Sequence, residues 1–174
     1  MRRRAFWAML AAACTSPEDV VYAQTRQGPF RLGILIPYAE SDTKSQGHLA
    51  QLRQELAQLG WSDSRKLTLE VRWTGGDANK LAVVARELVA SKPDAILVRS
   101  TAATAAVLRE TRSIPIVFVV VSDPVGDGFV SSMALPGGNV TGFTNVEASL
   151  SSKWLQLLME MDPRIKRVAL LYGP

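Results

Sequence analysis

The run PIVFVVVSDPVGDG, residues 115–128, decides the fold. From Pro115 to Val121 no side chain is polar, and β-branched residues dominate. A short, continuous apolar run of this kind is expected of a central parallel strand covered on both faces. The run ends abruptly in Ser122, Asp123 and Pro124, with Gly126 and Gly128 just beyond. A buried strand therefore opens onto a small polar lip. Three readings of that lip stay open: Asp123 is a working carboxylate, the lip grips a ligand without changing it, or Asp123 before a proline only forms a turn.

On either side, strands and helices alternate. FRLGILIPY (30–38) reads as a first strand. Asp42 is placed to cap a helix with leucines at 49, 52, 56 and 59. Gly60 ends that helix, and Trp61 covers its last turn as in a Schellman stop. KLTLEVRW (66–73) alternates strictly, which suits a half-exposed strand at a sheet edge. Asp77 caps the next helix, which buries Leu81, Val84, Ala85 and Leu88 and stops before Pro93. AILV (95–98) is a third strand, followed by a helix from about Thr101 to Arg112. After the central strand, GDGFVSSMA (126–134) predicts a short helix, Pro136-Gly137-Gly138 a turn, and NVTGF (139–143) a fifth strand. SLSSKWLQLLMEM (149–161) predicts a strong helix, and KRVALLYG (166–173) a sixth strand.

This order predicts a doubly wound, mostly parallel α/β sheet with strand order 2-1-3-4-5. Ligands of such sheets bind outside the carboxyl ends of the strands, near the switch between strands one and three. Three lips fall there: Pro37-Tyr38-Ala39, Ser100-Thr101 and Ser122-Asp123-Pro124.

The 174 residues suffice for one domain with a proper core, not for two of ordinary size. The net charge is +4, and three of the positive charges are Arg2, Arg3 and Arg4. The other cations are spread among carboxylates, without the basic stripe that tracks a phosphate backbone, so nucleic acid is not an expected partner. MRRR followed by AFWAMLAAAC, with small residues at VYA (21–23), reads as an export signal over residues 1–23. Arg3-Arg4-Ala5-Phe6 fits the twin-arginine pattern. Glu18 and Asp19 sit awkwardly for such a signal, and a disordered basic start is the plain alternative. LAAAC could be a degraded lipoprotein site at Cys14, with its leucine one place too early. Residues 24–29 read as a linker. Cleavage after Ala23 leaves a chain without cysteine, compatible with a periplasmic location.

The chemistry of classes other than binding is thin. His48 is the only histidine and lies on the first helix, far in sequence from every serine lip. No G-x-S-x-G elbow, H-E-x-x-H or G-x-G-x-x-G turn is present. A receiver-like domain would use Asp123 as phosphoacceptor, with Glu40 and Asp42 near a divalent ion; an export signal argues against it. The lips do offer hydrogen bonding. Ser100 and Thr101 open a helix whose free N–H groups could seat a carboxylate, or else they only cap it. Asp123 could accept from an amine. Tyr38 could stack on a flat ligand, or only pack.

The stretch IPIVFVVVSDPVGDGFVSSMALPGGNVTGFTN (114–145) resembles the ABC-transporter substrate-binding proteins of the tryptophan/tyrosine-uptake type. So do QLRQELAQLGW (51–61), ELVASKPDAILV (87–98) and KWLQLLMEMDPRIKRVALLYGP (153–174). The resemblance implies a type I periplasmic binding protein, in which two α/β lobes close over a small solute and deliver it to an ABC permease in the inner membrane. It implies no enzyme and no cofactor, and favours an amino acid, aromatic by preference. Residues 30–145 would be the N-terminal lobe, with Thr144 and Asn145 near the first hinge crossing, and residues 146–174 the start of a second lobe. The family is close to twice this long, so most of that lobe is expected to be missing and solute binding to be weak. The candidate ligand-binding residues are Tyr38, Ser100, Thr101, Ser122 and Asp123 from the lips, with Thr144 and Asn145 from the implied hinge. The apolar face of Trp154, Leu155, Leu158 and Met161, with Val168 to Leu171, would have to dock on the first lobe, lie exposed or pair with another chain. Self-association through 150–174 is thus a further expectation. The rival reading is a small α/β enzyme or receiver-like domain using Asp123.

Overall fold

The computed structural model describes residues 28–61, 66–145 and 150–169. The export signal, Cys14, most of the expected linker and the end of the expected sixth strand lie outside them. The elements run β1 (Phe30–Ile36), α1 (Thr43–Gln58), β2 (Leu67–Trp73), α2 (Ala78–Ala90), β3 (Ala95–Arg99), α3 (Thr101–Glu110), β4 (Ile116–Val121), β5 (Val140–Thr144) and α4 (Leu150–Met161). The five strands form one sheet in the order β2-β1-β3-β4-β5, and every pair is parallel. This is the expected doubly wound order, with β2 at one edge.

Local chemistry sets the helix ends. Asp42 accepts the Ser45 N–H at 2.8 Å, and Asp77 accepts those of Asn79 at 2.8 Å and Lys80 at 3.4 Å. Each fills donors that the first helical turn leaves unpaired. Gly60 closes α1 at φ +84°. Its N–H bonds the Ala57 carbonyl at 3.0 Å and that of Trp61 bonds Leu56 at 2.8 Å, the expected Schellman pair. The Trp61 ring then meets Phe30 edge-on, with centroids 6.1 Å apart.

The main core lies on one face of the sheet. Leu35, Ile96, Val98, Ile116 and Phe118 pack there against Ala85 and Leu88 of α2 and Ala103 and Val107 of α3. Gly142 pairs with Phe118 in the β4–β5 register, and a methyl group there would overlap the Phe118 carbonyl and ring. The fifth strand can approach so closely only because the position is glycine. The second face is smaller. Ile34, Ile36 and Leu49 are buried, with Leu32, Leu69, Val71 and Leu97 packed around them under α1.

Several expectations need correction. β4 is covered on one face only: Val117 and Val119 are half-buried, and Phe143 beside them is 70% exposed. α1 lies over β1 and its neighbours, and no other described element covers that side of β4 and β5. The strand also contains a bulge. Val119 pairs with Phe143 but Val121 with Thr144, which leaves Val120 between them at φ +59°. The extra residue reverses the alternation, so Val121 turns into the main core with Phe118. β1 stops at Ile36 and α3 at Glu110, each two residues short of the sequence expectation.

The expected helix over 126–134 is a series of turns. Asp123 bonds the Gly126 N–H through its side chain at 2.8 Å and the Asp127 N–H through its carbonyl at 2.9 Å. Gly128 then takes φ +71°. Two glycines and two serines supply too little helix propensity to carry the turn onward. Residues 166–169 form no strand, having no described neighbour to pair with. α4 does form, and Trp154, Leu155, Leu158 and Met161 lie exposed on it. Among the described residues, no helix is long and apolar enough to cross a membrane.

Candidate functional site

Because all five strands run the same way, their carboxyl ends share one edge. Tyr38 follows β1, Ser100 and Thr101 join β3 to α3, Ser122 and Asp123 follow β4, and Thr144 and Asn145 end β5. The order β1-β3-β4-β5 sets these four lips side by side. Tyr38, Ser122, Asp123, Thr144 and Asn145 are exposed, and Ser100 and Thr101 are half-buried.

Two of these residues already have structural partners. Ser100 caps α3, its hydroxyl accepting the Ala103 N–H at 3.3 Å and its carbonyl receiving the Thr104 hydroxyl at 2.8 Å. Asp123 is a turn former through Gly126. Both plain alternatives raised by the sequence are thus realised, although the Asp123 carboxylate stays open to solvent.

The backbone of the edge is strained. Ser100 lies at φ +92° and ψ 155°, a region that side chains with a Cβ rarely enter. Val120, β-branched, lies at φ +59° on the neighbouring strand. The Ser100 N–H donates to the Val119 carbonyl at 3.0 Å, which ties the two distortions together. Non-glycine residues held this way persist only where their surroundings over-determine them, as ligand sites commonly do. The Tyr38 lip is braced from β2. Gly75 and Gly76, both at positive φ, donate to the Tyr38 and Pro37 carbonyls at 3.0 and 2.8 Å.

Sequence reasoning missed Arg99. It is the last residue of β3 and follows Leu97 onto the α1 face, where the strand pattern would place an apolar side chain. That misplaced charge in AILVRS was the available signal. The Arg99 guanidinium lies 5.0 Å from the Tyr38 ring centroid, within cation–π range. Its Nη1 donates to the buried Ser45 hydroxyl at 3.1 Å. Ser45 bonds Asp42 in turn. Those bonds, from the Ser45 side chain and then its backbone N–H, hold the Asp42 carboxyl below its usual range, and the charges of Arg99 and Lys44 add to the effect. Beneath Arg99 runs an open groove of about 170 Å³ between α1 and the uncovered strands. Its walls include Ile34, Ile36, Leu49, Leu97 and Val119. His48, exposed on the flank of α1 as expected, stands at its rim.

An edge of this kind, with hydrogen-bonding lips, one open carboxylate and one seated cation, can hold a solute. The ABC transporter substrate-binding protein family matches the chain over residues 41–174. The chain belongs to that family. A tyrosine-binding protein of Clostridioides difficile (strain R20291) is 29% identical over 139 residues, covering 80% of this chain and 39% of that protein. An ABC domain from Streptococcus pneumonia, solved in complex with L-Trp, superposes with a TM-score of 0.59 at 26% identity, over 67% of this chain and 39% of its own. A ligand-free, open substrate-binding protein with adhesive properties from Clostridium difficile gives 0.63 at 25% identity, over 77% and 44%. A conserved domain protein from Vibrio cholerae, at 24% identity and a TM-score of 0.65, supports the fold alone. The sheet of this family member is thus a partial type I periplasmic-binding fold. The chain spans 39% of the length of the curated relative.

Proposed function

We propose that the chain serves as the solute-binding component of an ABC importer, working outside the inner membrane and handing a small solute to a permease. The solute favoured is an amino acid, aromatic by preference. The observation that carries this is the strained carboxyl edge, where four lips and a seated arginine gather in a family whose relatives include a tyrosine-binding protein. Tyr38, Ser100, Thr101, Ser122, Asp123, Thr144 and Asn145 are the residues assigned to the ligand. We read residues 30–145 as the first lobe and 146–174 as the start of a second. The exposed apolar surface of α4 supports that division, since it suits packing against further protein. The same surface is where copies of this chain would associate.

One lobe supplies half of a clamshell, so binding by the 174-residue chain should be weak, in the millimolar range. Titration of the labelled chain with a panel of amino acids, followed by NMR, tests the reading. Saturable shifts at the lips with tryptophan or tyrosine are expected. Magnesium-dependent phosphoryl labelling of Asp123, with no response to any amino acid, would establish the rival receiver-like reading instead.

A further inference from the structure

Arg99 is a half-buried cation with few partners. A guanidinium presents five N–H donors. Here one nitrogen meets the Ser45 hydroxyl and the planar face lies over Tyr38. Among the described residues no carboxylate oxygen lies in ion-pair contact with it. Asp42 acts on it through space and through Ser45, without an ion-pair contact, and Lys44 also lies near that acid. A partly desolvated charge in this position is costly unless something pairs with it. The Tyr38 carbonyl accepts from the Gly75 N–H, and Ser45 sits in the first turn of α1, so both residues that meet the guanidinium are anchored through ordered backbone. Beside it the groove of about 170 Å³ is walled mainly by aliphatic side chains, with Ser45 and His48 also lining it. An apolar cavity of about 150 Å³ takes a benzene-sized molecule.

Resting on the solute-binding reading, we propose that Arg99 determines specificity by pairing with the carboxylate of the solute, while the groove takes the solute's apolar ring. The ligand class is a small carboxylic acid with an aromatic body. Guanidinium and carboxylate match as two parallel N–H···O bonds, which Ser45 leaves room for by occupying one nitrogen only. The geometry also makes lysine a poor substitute, since a point charge neither stacks on Tyr38 nor forks onto a carboxylate.

The test uses three probes that share one ring system: L-tryptophan, indole-3-propionate (carboxylate without amine) and tryptamine (amine without carboxylate). Each is titrated into the 174-residue chain and followed by NMR, including the Arg99 Nε–H signal. Indole-3-propionate should shift that signal and bind at least about tenfold more tightly than tryptamine, the scale of one charged hydrogen-bonded pair. Arg99→Met should remove the preference, and Arg99→Lys should retain only part of it. The amide spectrum of each variant reports whether it is folded, and Arg99 lies outside both buried clusters. Equal binding of indole-3-propionate and tryptamine overturns the inference and leaves the solute-binding reading standing. So does a preference that survives in Arg99→Met. No response to any of the three overturns both.

Discussion

The two faces of the sheet solve the same problem to different degrees. On the α2/α3 face, β1, β3, β4 and β5 all contribute fully buried or nearly buried side chains to one cluster. On the α1 face the buried set is three residues, Ile34, Ile36 and Leu49, and Val119 and Phe143 still meet solvent. The difference separates the face that holds the sheet together from the face left open to a ligand. A sealed face fixes the sheet, and the unsealed face keeps a groove, a cation and a lip accessible.

Neighbouring residues of β4 break this comparison most directly. Phe118 is fully buried on the sealed face, so Phe118→Ala should cost about 3–5 kcal/mol. That is a large part of the roughly 5–15 kcal/mol available to an ordinary domain. Val119, one residue along and half-buried on the open face, should cost at most about 1 kcal/mol as alanine. Urea unfolding of both variants measures the ratio. Equal losses would mean that the open face is as well covered as the closed one.

Gly142 gives the next effect in size. Its alanine variant sets a methyl group against the Phe118 carbonyl, and overpacking of this kind costs roughly 1–3 kcal/mol. Because β5 ends in Thr144 and Asn145, the same change should disturb the amide signals of that lip before those of Tyr38, which follows β1 on the far side of β4 and β3. A variant with unchanged stability would show that β5 is loosely held and that the sealed face ends at β4.

Much of this was legible in the sequence, and the failures share a cause. The Asp42 and Asp77 caps, the Gly60-Trp61 stop and the edge character of β2 are local patterns, and each forms as read; the leucine stripe of α1 forms at 49, 52 and 56, while Leu59 caps the helix and lies exposed. The strand order follows from alternation and handedness. What sequence did not reveal depends on neighbours distant in the chain. A continuous apolar run cannot say whether both its faces are covered, and PIVFVVV has only one covered. Nor can it show a bulge, since Val120 looks like every other valine until β5 is set beside it. Tyr38, Ser100, Thr101, Ser122 and Asp123 were named from the rule about strand ends, and Thr144 and Asn145 from the family resemblance. Arg99 was passed over because a charge at the end of a strand reads as solvated until Tyr38 and Ser45 are seen around it.

The smallest expected effect tests the wall of the open face. The bonds from Ser45 hold the Asp42 carboxyl below the usual carboxylate range. A depressed folded-state pKa means that the charged cap contributes stability above the unfolded-state value and loses it as pH falls through the lowered one. The start of α1 should therefore loosen only in that acid window and stay unchanged from neutrality down to about pH 5. Ser45 ties Asp42 to Arg99, so protonating the cap should also free the guanidinium to shift on Tyr38. Amide exchange in the first turn of α1, followed together with the Arg99 Nε–H signal across the acid range, reads both events. Asp42→Asn, which keeps a capping oxygen but no charge, should abolish the acid transition at both places. If the Arg99 signal still moves in that variant, the cation on the open face is held by Tyr38 alone, and α1 is a wall of the groove without being part of its electrostatics.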